Sequence, residues 1–148
     1  MTTMNNHIGL KGIFNLKFTN VNTGQVRELE FENLILNSGL DRMAAGTFIG
    51  GCVLGSASNT PVATDTSITS ILGSSTTLQA SGVGTANTST PPYWCSYYWT
   101  YRFIEGVATG NISQVAMAFG TVSAGTTLFS LALVKDSGGT PITITKLA

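Results

Sequence analysis

Hydrophobic and polar residues alternate along much of the chain, and this pattern predicts β-strands. Residues 14–18 and 25–31 both alternate in this way, and Leu29 and Phe31 lie between glutamates. Successive side chains of a strand point to opposite faces of a sheet, so a period of two indicates strands with one buried face. Between the two segments, residues 20–24 are rich in Asn and end in Gly, which favours a hairpin turn.

The densest aromatic segment is residues 91–104, PPYWCSYYWTYRFI, which contains both tryptophans and all four tyrosines of the chain. On a strand, one face would carry Tyr93, Cys95, Tyr97, Trp99, Tyr101 and Phe103, and the other Trp94, Ser96, Tyr98, Thr100, Arg102 and Ile104. Because aromatic residues suit strands and both faces are bulky, we predict a long strand that is covered on both faces. Such a strand lies at the centre of a sandwich or in a subunit interface. An aromatic platform that stacks on sugars is the alternative.

One segment, residues 33–46, has the spacing of a helix. Its apolar face consists of Leu40, Met43 and Ala44, at positions i, i+3 and i+4. Asn37 or Ser38 can cap the start of the helix, and Gly46 suits the residue just after its end. A helix of about two turns is too short to be stable alone, so we expect its apolar face to pack on the sheet.

The rest of the chain adds short strands separated by turn signals. Further strands are predicted at residues 48–54, 77–89, 111–119, 126–134 and 141–145, with a loop at residues 55–66. This spacing predicts an all-β fold, an antiparallel β-sandwich (jelly-roll-like) of about seven or eight strands with one short α-helix. No linker or repeat divides the chain, so we expect residues 1–9 to form a flexible N-terminal arm and residues 10–148 to form a single β-sandwich domain.

Charged residues make up only 9% of the chain, whereas about 25% is usual. Between residues 47 and 101, Asp65 is the one charged side chain. A monomer normally stays soluble through mixed surface charges, and hydroxyl and amide groups are cheaper to bury than charges. The composition therefore favours a homo-oligomer, or a component of a larger shell, whose partners are identical subunits.

Composition also argues against several partners. Seven basic and seven acidic residues cancel and form no basic cluster, so we expect no nucleic-acid partner. No segment is apolar over the length of a membrane span and the N-terminus lacks a signal-peptide pattern, so we expect no membrane partner and synthesis in a reducing cytoplasm. Two cysteines are too few for a disulfide framework, and we expect Cys52 and Cys95 to be buried small hydrophobes.

Residues that could carry catalysis are sparse. His7 is the one histidine, so neither a nucleophile–histidine pair nor a histidine metal site is indicated. Asp41, Asp65 and Asp136 stand alone, without the spacing of a calcium loop. The three glutamates Glu28, Glu30 and Glu32 lie on one face of a strand, which is typical of a solvated face. We therefore predict no enzyme, no catalytic residue, no metal and no cofactor.

Four blocks of the sequence carry a family resemblance: NLILNSGLD at residues 33–41, NTPVATDTSI at 59–68, YRFIEGVATGNISQ at 101–114 and LVKDSGGTPITIT at 133–145. They resemble stretches of small tail- and fibre-associated structural proteins of tailed bacteriophages. The blocks stand in the family's order and span most of the chain. Ile68 replaces a leucine of the family pattern, and Gln114 replaces an acidic residue.

The resemblance implies a non-enzymatic virion structural protein, assembled in the host cytoplasm. Such a protein would be a tail, fibre-base or adaptor component that acts by self-assembly and by docking to other virion structural proteins. Candidate interface residues are Trp94 and Tyr98 on the aromatic strand, with the loops near Asn59 and Asn87. The alternatives are a capsid decoration protein and a carbohydrate- or receptor-binding module of a tail tip, whose partner would be a host surface glycan.

Overall fold

A computed structural model describes residues 9–46, 49–119 and 127–148. Over these ranges the chain forms one helix, α1 Asn37–Ala44, and ten strands: β1 Gly12–Thr19, β2 Val26–Ile35, β3 Ile49–Gly55, β4 Ile71–Ser75, β5 Leu78–Asn87, β6 Trp94–Tyr101, β7 Gly110–Ile112, β8 Gln114–Phe119, β9 Leu128–Leu133 and β10 Ile144–Lys146. His7 and nearly all of the predicted N-terminal arm lie outside the described residues.

The predicted all-β, sandwich-like class is confirmed. Six strands form one curled antiparallel sheet in the order β1-β2-β9-β8-β3-β4, while β10 pairs with β7 and β5 pairs with β6. The described residues hold more strands than the seven or eight predicted, in part because residues 111–119 form two strands. The break falls at Ser113, whose N–H donates to the Gly55 carbonyl and whose carbonyl accepts from Val134 N–H.

Two hydrophobic clusters are built by alternating residues of the same strands. The main cluster contains Phe14, Leu29, Phe31, Cys52, Leu54, Ala108, Ile112, Val115, Met117, Ala132 and Val134. The second cluster contains Leu36, Val53, Ile68, Ala116, Ala118, Leu128 and Leu131. Because neighbouring strand residues such as Val115 and Ala116 belong to different clusters, both faces of the central sheet are packed.

The central position that the sequence suggested for the aromatic strand belongs instead to β8 and β9. All six residues of β8 are buried, and β9 is buried except for the half-buried Phe129. These strands lie between β2 and β3 in the main sheet.

The first hairpin forms as predicted. β1 and β2 pair from Gly12 opposite Asn33 to Thr19 opposite Val26, and Asn20 Oδ1 accepts from the N–H groups of the turn. Leu29 and Phe31 are buried while the glutamates of β2 are exposed. Lys17 and Glu28 form an ion pair on this charged face at 3.2 Å.

The helix packs differently from the prediction. Leu40 and Met43, which were expected to face the sheet, are exposed. Gly39 is instead the buried residue of α1, and a Cβ atom there would lie 2.3 Å from the Phe129 carbonyl oxygen. The cap prediction was also wrong: Leu36 is the N-cap residue, with no side-chain cap hydrogen bond, and Ser38 Oγ donates to the Leu128 carbonyl. The close approach of the backbones, rather than an apolar stripe, fixes the orientation of α1.

Candidate interaction surface

The aromatic hairpin, residues 78–101, consists of β5, β6 and the turn that joins them. Its strands pair antiparallel from Leu78 opposite Tyr101 to Asn87 opposite Trp94, with two register shifts. In the described part of the chain neither strand pairs with a third one, so each keeps an unpaired edge. The hairpin carries no charged side chain.

The aromatic side chains of this hairpin are largely exposed. Trp94 is 49% exposed, Tyr97 52% and Tyr98 48%. The prediction of a core strand covered on both faces is therefore wrong within this chain. The physical reason is that, in the described part of the chain, β6 pairs with β5 alone, and the main cluster packs against only Trp99 and Tyr101 of β6.

One side of the hairpin, which we name the core-side face, continues the main hydrophobic cluster. It carries Leu78, Ser81, Val83, Ala86, Cys95, Tyr97, Trp99 and Tyr101, because residues directly opposite each other share a face. Trp99 and Tyr101 pack against the main cluster, and burial raises the pKa of the Tyr101 hydroxyl. Tyr97 contacts Trp99, with ring centroids 4.7 Å apart. Beyond this pair, Val83 is 72% exposed.

The other side, the outer face, mixes aromatic rings with hydroxyl groups and glycine. It carries Ala80, Gly82, Gly84, Asn87, Trp94, Ser96, Tyr98 and Thr100. A Cβ atom at Gly82 would lie 3.4 Å from the Tyr98 hydroxyl oxygen, and one at Gly84 would lie 2.5 Å from Ser96 Oγ. Gly84 therefore leaves the space that Ser96 occupies, whereas a Cβ atom at Gly82 would make an ordinary van der Waals contact.

Asn87 holds the end of the hairpin. Its Nδ2 donates to the carbonyls of Thr90 at 2.7 Å and Pro92 at 3.0 Å, and its Oδ1 accepts from the N–H groups of Ser89 and Thr90. These bonds engage both ends of the amide. Asn87 therefore shapes the turn beside Trp94.

Asn59 lies in a different part of the fold, in the loop between β3 and β4. Its carbonyl and its Oδ1 accept from Gln114 Nε2 at 3.0 and 3.2 Å. Gln114 is fully buried on β8, so this pair ties the loop to the central sheet. The structure thus brings Trp94, Tyr98 and Asn87 together on one hairpin but leaves Asn59 elsewhere, as a loop anchor.

The two cysteines have opposite environments. Cys52 is buried, as predicted, whereas the prediction for Cys95 is wrong because it is exposed on the aromatic hairpin; both thiols are free. Burial raises the pKa of the Cys52 thiol to about 12. Cys95 therefore offers the accessible thiol of the pair.

A shallow groove beside the base of the hairpin is lined by Ser74, Ser75, Thr76, Thr77, Arg102, Ile104 and Val107. Ser75 Oγ donates to the Arg102 carbonyl at 2.7 Å. Hydroxyl groups beside one guanidinium provide neither a nucleophile–base pair nor a pair of carboxylates. No group of three or more His, Cys, Asp or Glu side chains among the described residues could hold a metal ion. Over those residues no helix is long and apolar enough to cross a membrane.

Sequence reasoning found Trp94 and Tyr98 but missed the exposed core-side positions Val83, Tyr97 and Cys95. The signal that could have pointed to them is the absence of charge in residues 66–101, combined with the glycines of β5, which weaken it as a core strand. No protein-family model, curated protein or solved structure matches the chain.

Proposed function

We propose that this protein is a non-enzymatic structural component of a tailed-bacteriophage particle, and that it assembles through its aromatic hairpin. The observation that carries the proposal is the hairpin itself: exposed Trp and Tyr side chains, two unpaired strand edges and no charge. In a soluble protein, a contiguous exposed apolar patch marks an interaction site.

The unprotected edges support assembly as well. Proteins that act as monomers usually protect edge strands with lysine, proline within the strand, or a covering loop. β1 is an edge strand of the main sheet and carries Lys17, which is paired with Glu28. β5 and β6 carry no such charge. The aromatic hairpin thus combines unpaired strand edges with an exposed apolar face in the described structure. Both features suit a chain that binds neighbouring subunits.

Two of the four sequence blocks that resemble phage structural proteins contain an aspartate that accepts hydrogen bonds from nearby backbone N–H groups. Asp65 Oδ2 accepts from Val62 N–H at 2.9 Å, and Asp136 Oδ1 accepts from the N–H groups of Gly138 and Thr140, both at 2.9 Å. These side chains hold turns. In these two blocks the resemblance therefore concerns residues that maintain a fold, which favours a shared architecture over a shared ligand site.

The test is the protein content of particles purified from a culture that carries this gene. We expect the chain to be recovered with the particles in a fixed ratio to the other structural proteins. The double variant Trp94→Ser and Tyr98→Ser should be lost from the particles while it remains folded. The matched control is Val21→Ser with Val62→Ser, which removes exposed hydrophobic residues outside the hairpin. Recovery of the wild-type chain only in the soluble fraction would contradict the proposal.

The outer face also favours a second candidate, a glycan-binding module of a tail tip. Trp94 and Tyr98 alternate there with the hydroxyl groups of Ser96 and Thr100, and an aromatic ring beside hydroxyls can stack on a sugar while hydrogen bonds orient it. A glycan array with particle-free protein tests this directly. Binding that the Trp94→Ser change abolishes would favour the module over the assembly part, and a capsid decoration protein would be distinguished by antibody labelling of particles.

A further inference from the structure

We propose that the core-side face of the aromatic hairpin is a contact between copies of this chain, with the same face of a second copy as its occupant. The inference rests on the proposed assembly role and deepens it, because it names both the partner and the side of the hairpin that meets it. Sequence reasoning had pointed to the outer face, through Trp94 and Tyr98.

The first argument is continuity with the hydrophobic core. At the base of the hairpin, Trp99 and Tyr101 pack against the main cluster. Further out on the same face, Tyr97 is 52% exposed and Val83 72% exposed. Apart from Ser81, the face therefore continues from a packed core into an apolar part that nothing in the described chain covers. A second hairpin laid on this surface would extend the core across the contact.

The second argument is charge. A partner that presents charged groups to this face would have to desolvate them without an opposite charge to pair with. The charged face of β1 and β2, with Lys17 and Glu28, is thus a poor match within the same chain. The hairpin of a second copy has no charged side chain, so hairpin against hairpin avoids this desolvation.

The two faces differ in how much polar surface they would bury. The outer face carries the Trp94 N–H group and the hydroxyl groups of Tyr98, Ser96 and Thr100, of which Ser96 Oγ already donates to the Thr85 carbonyl. The exposed part of the core-side face carries two hydroxyl groups, those of Ser81 and Tyr97. Burial of the core-side face therefore leaves fewer hydrogen-bonding groups to satisfy, which favours it as the contact.

The size of the face sets the expected strength. Eight residues of β6 span about 26 Å, and two strands are about 10 Å wide, so one face measures roughly 260 Å² in projection. Trp99 and Tyr101 are already packed against the main cluster, so a second copy can cover only part of this area. A stable interface buries about 800 Å² on each partner. Contact through this face alone should accordingly be reversible and should depend on protein concentration.

The experiment uses Cys95, which lies on the core-side face opposite Ala86, whereas Cys52 is buried. We would measure sedimentation equilibrium and the rate of Cys95 reaction with a thiol reagent, from roughly micromolar to millimolar protein. Association should rise with concentration while the Cys95 rate falls severalfold. Val83→Lys places a charge on the core-side face and should weaken association at least tenfold. Thr100→Lys places the same charge on the outer face and should change it less than twofold.

Each outcome bears on the inference separately from the particle experiment. Loss of association in Val83→Lys but not in Thr100→Lys supports the core-side contact. The reverse pattern overturns it, and so does a chain that stays monomeric at millimolar concentration with an unchanged Cys95 rate; either result leaves the assembly role to be judged by recovery in particles. If the chain associates through this face but is absent from particles, the contact is supported and the proposed function is not.

Discussion

The buried strand pair β8 and β9 and the aromatic hairpin of β5 and β6 are both antiparallel pairs, yet their environments are opposite. Every residue of β8 is buried, although the strand contains two alanines and a glutamine. Only two of the eight residues of β6 are even half-buried, although this strand contains five aromatic side chains. The most aromatic segment of the chain thus lies at the surface, and a segment of smaller side chains lies in the core.

The difference shows that strand propensity and burial are separate properties. Propensity measures how well side chains fit a pleated surface, and β6 meets that criterion. Burial depends on what else pairs with the strand and packs on it. β8 has β3 on one side and β9 on the other, with a hydrophobic cluster on each face, whereas β6 has β5 alone among the strands that the structure describes.

The largest expected effect comes from breaking the buried pair. Leu131 on β9 is 1% exposed and belongs to the second cluster, so Leu131→Ala should lower the free energy of unfolding by about 2–5 kcal/mol. Urea denaturation measures the loss. Leu147→Ala is the matched control, since Leu147 is 78% exposed, and it should change stability by less than about 0.5 kcal/mol. Equal effects of the two variants would show that the second cluster is not a packed core.

A smaller loss is expected from a change of charge at the buried glutamine. Gln114→Glu would place a carboxylate against the Asn59 carbonyl and Oδ1, which now accept from Gln114 Nε2, and would leave acceptors facing each other. We expect a loss of about 2–3 kcal/mol at neutral pH. Burial favours the protonated carboxyl, so its pKa should be higher in the folded chain than in the unfolded one.

The sign of the pH dependence follows from that difference. Between the two pKa values the folded variant holds more protons than the unfolded variant, so its stability falls as pH rises. The deficit relative to the wild type should therefore shrink as pH is lowered from 7 to 5. Urea denaturation at both values tests this, and Gln79→Glu, at an exposed position of the aromatic hairpin, is the control. A deficit that grows on acidification would refute the proposed arrangement.

A loss of stability of similar or smaller size is expected when the buried glycine of α1, the helix that packs on β9, is replaced. In an exposed helix, replacement of Gly by Ala stabilises by up to about 1 kcal/mol. At Gly39 the new Cβ would lie 2.3 Å from the Phe129 carbonyl oxygen, so Gly39→Ala should destabilise by about 1–3 kcal/mol. Gly9→Ala, where nothing lies within 4 Å, should be neutral. Thermal unfolding of both variants measures the balance of the two effects. A lower melting temperature for Gly39→Ala alone would show that the close contact with Phe129 outweighs the higher helix propensity of alanine.

Local features were predictable from the sequence because their causes are local. The turn at Asn20 forms through the side chain of that residue, and the turn at Asp136 forms in the same way. The alternation of Leu29 and Phe31 with glutamates gave the correct face of β2. In each case one residue type and its neighbours determine the result.

Features that depend on distant packing were not predictable in this way. The exposure of Leu40 follows from the approach of Gly39 to Phe129, a contact between segments that are far apart in sequence. Cys95 is exposed because the main cluster packs against Trp99 and Tyr101 of β6 but does not reach the part of the strand that holds Cys95. The link between Asn59 and Gln114 likewise joins two segments that periodicity treats separately. For the candidate interaction surface, the sequence predicted the aromatic residues Trp94 and Tyr98. It did not predict which face of the hairpin continues the hydrophobic core.

The smallest expected effect lies on the aromatic hairpin itself. Tyr98 on the outer face is 48% exposed, so Tyr98→Ala should lower the free energy of unfolding by less than about 1 kcal/mol in dilute solution. Tyr101→Ala on the same strand removes a ring that packs against the main cluster and should cost about 2–3 kcal/mol or more. Both are measured by urea denaturation at a concentration where copies do not associate. If Tyr98→Ala and Tyr101→Ala lowered the free energy of unfolding equally, the outer face would be packed as part of the fold. The exposed aromatic side chains would then no longer argue for a partner.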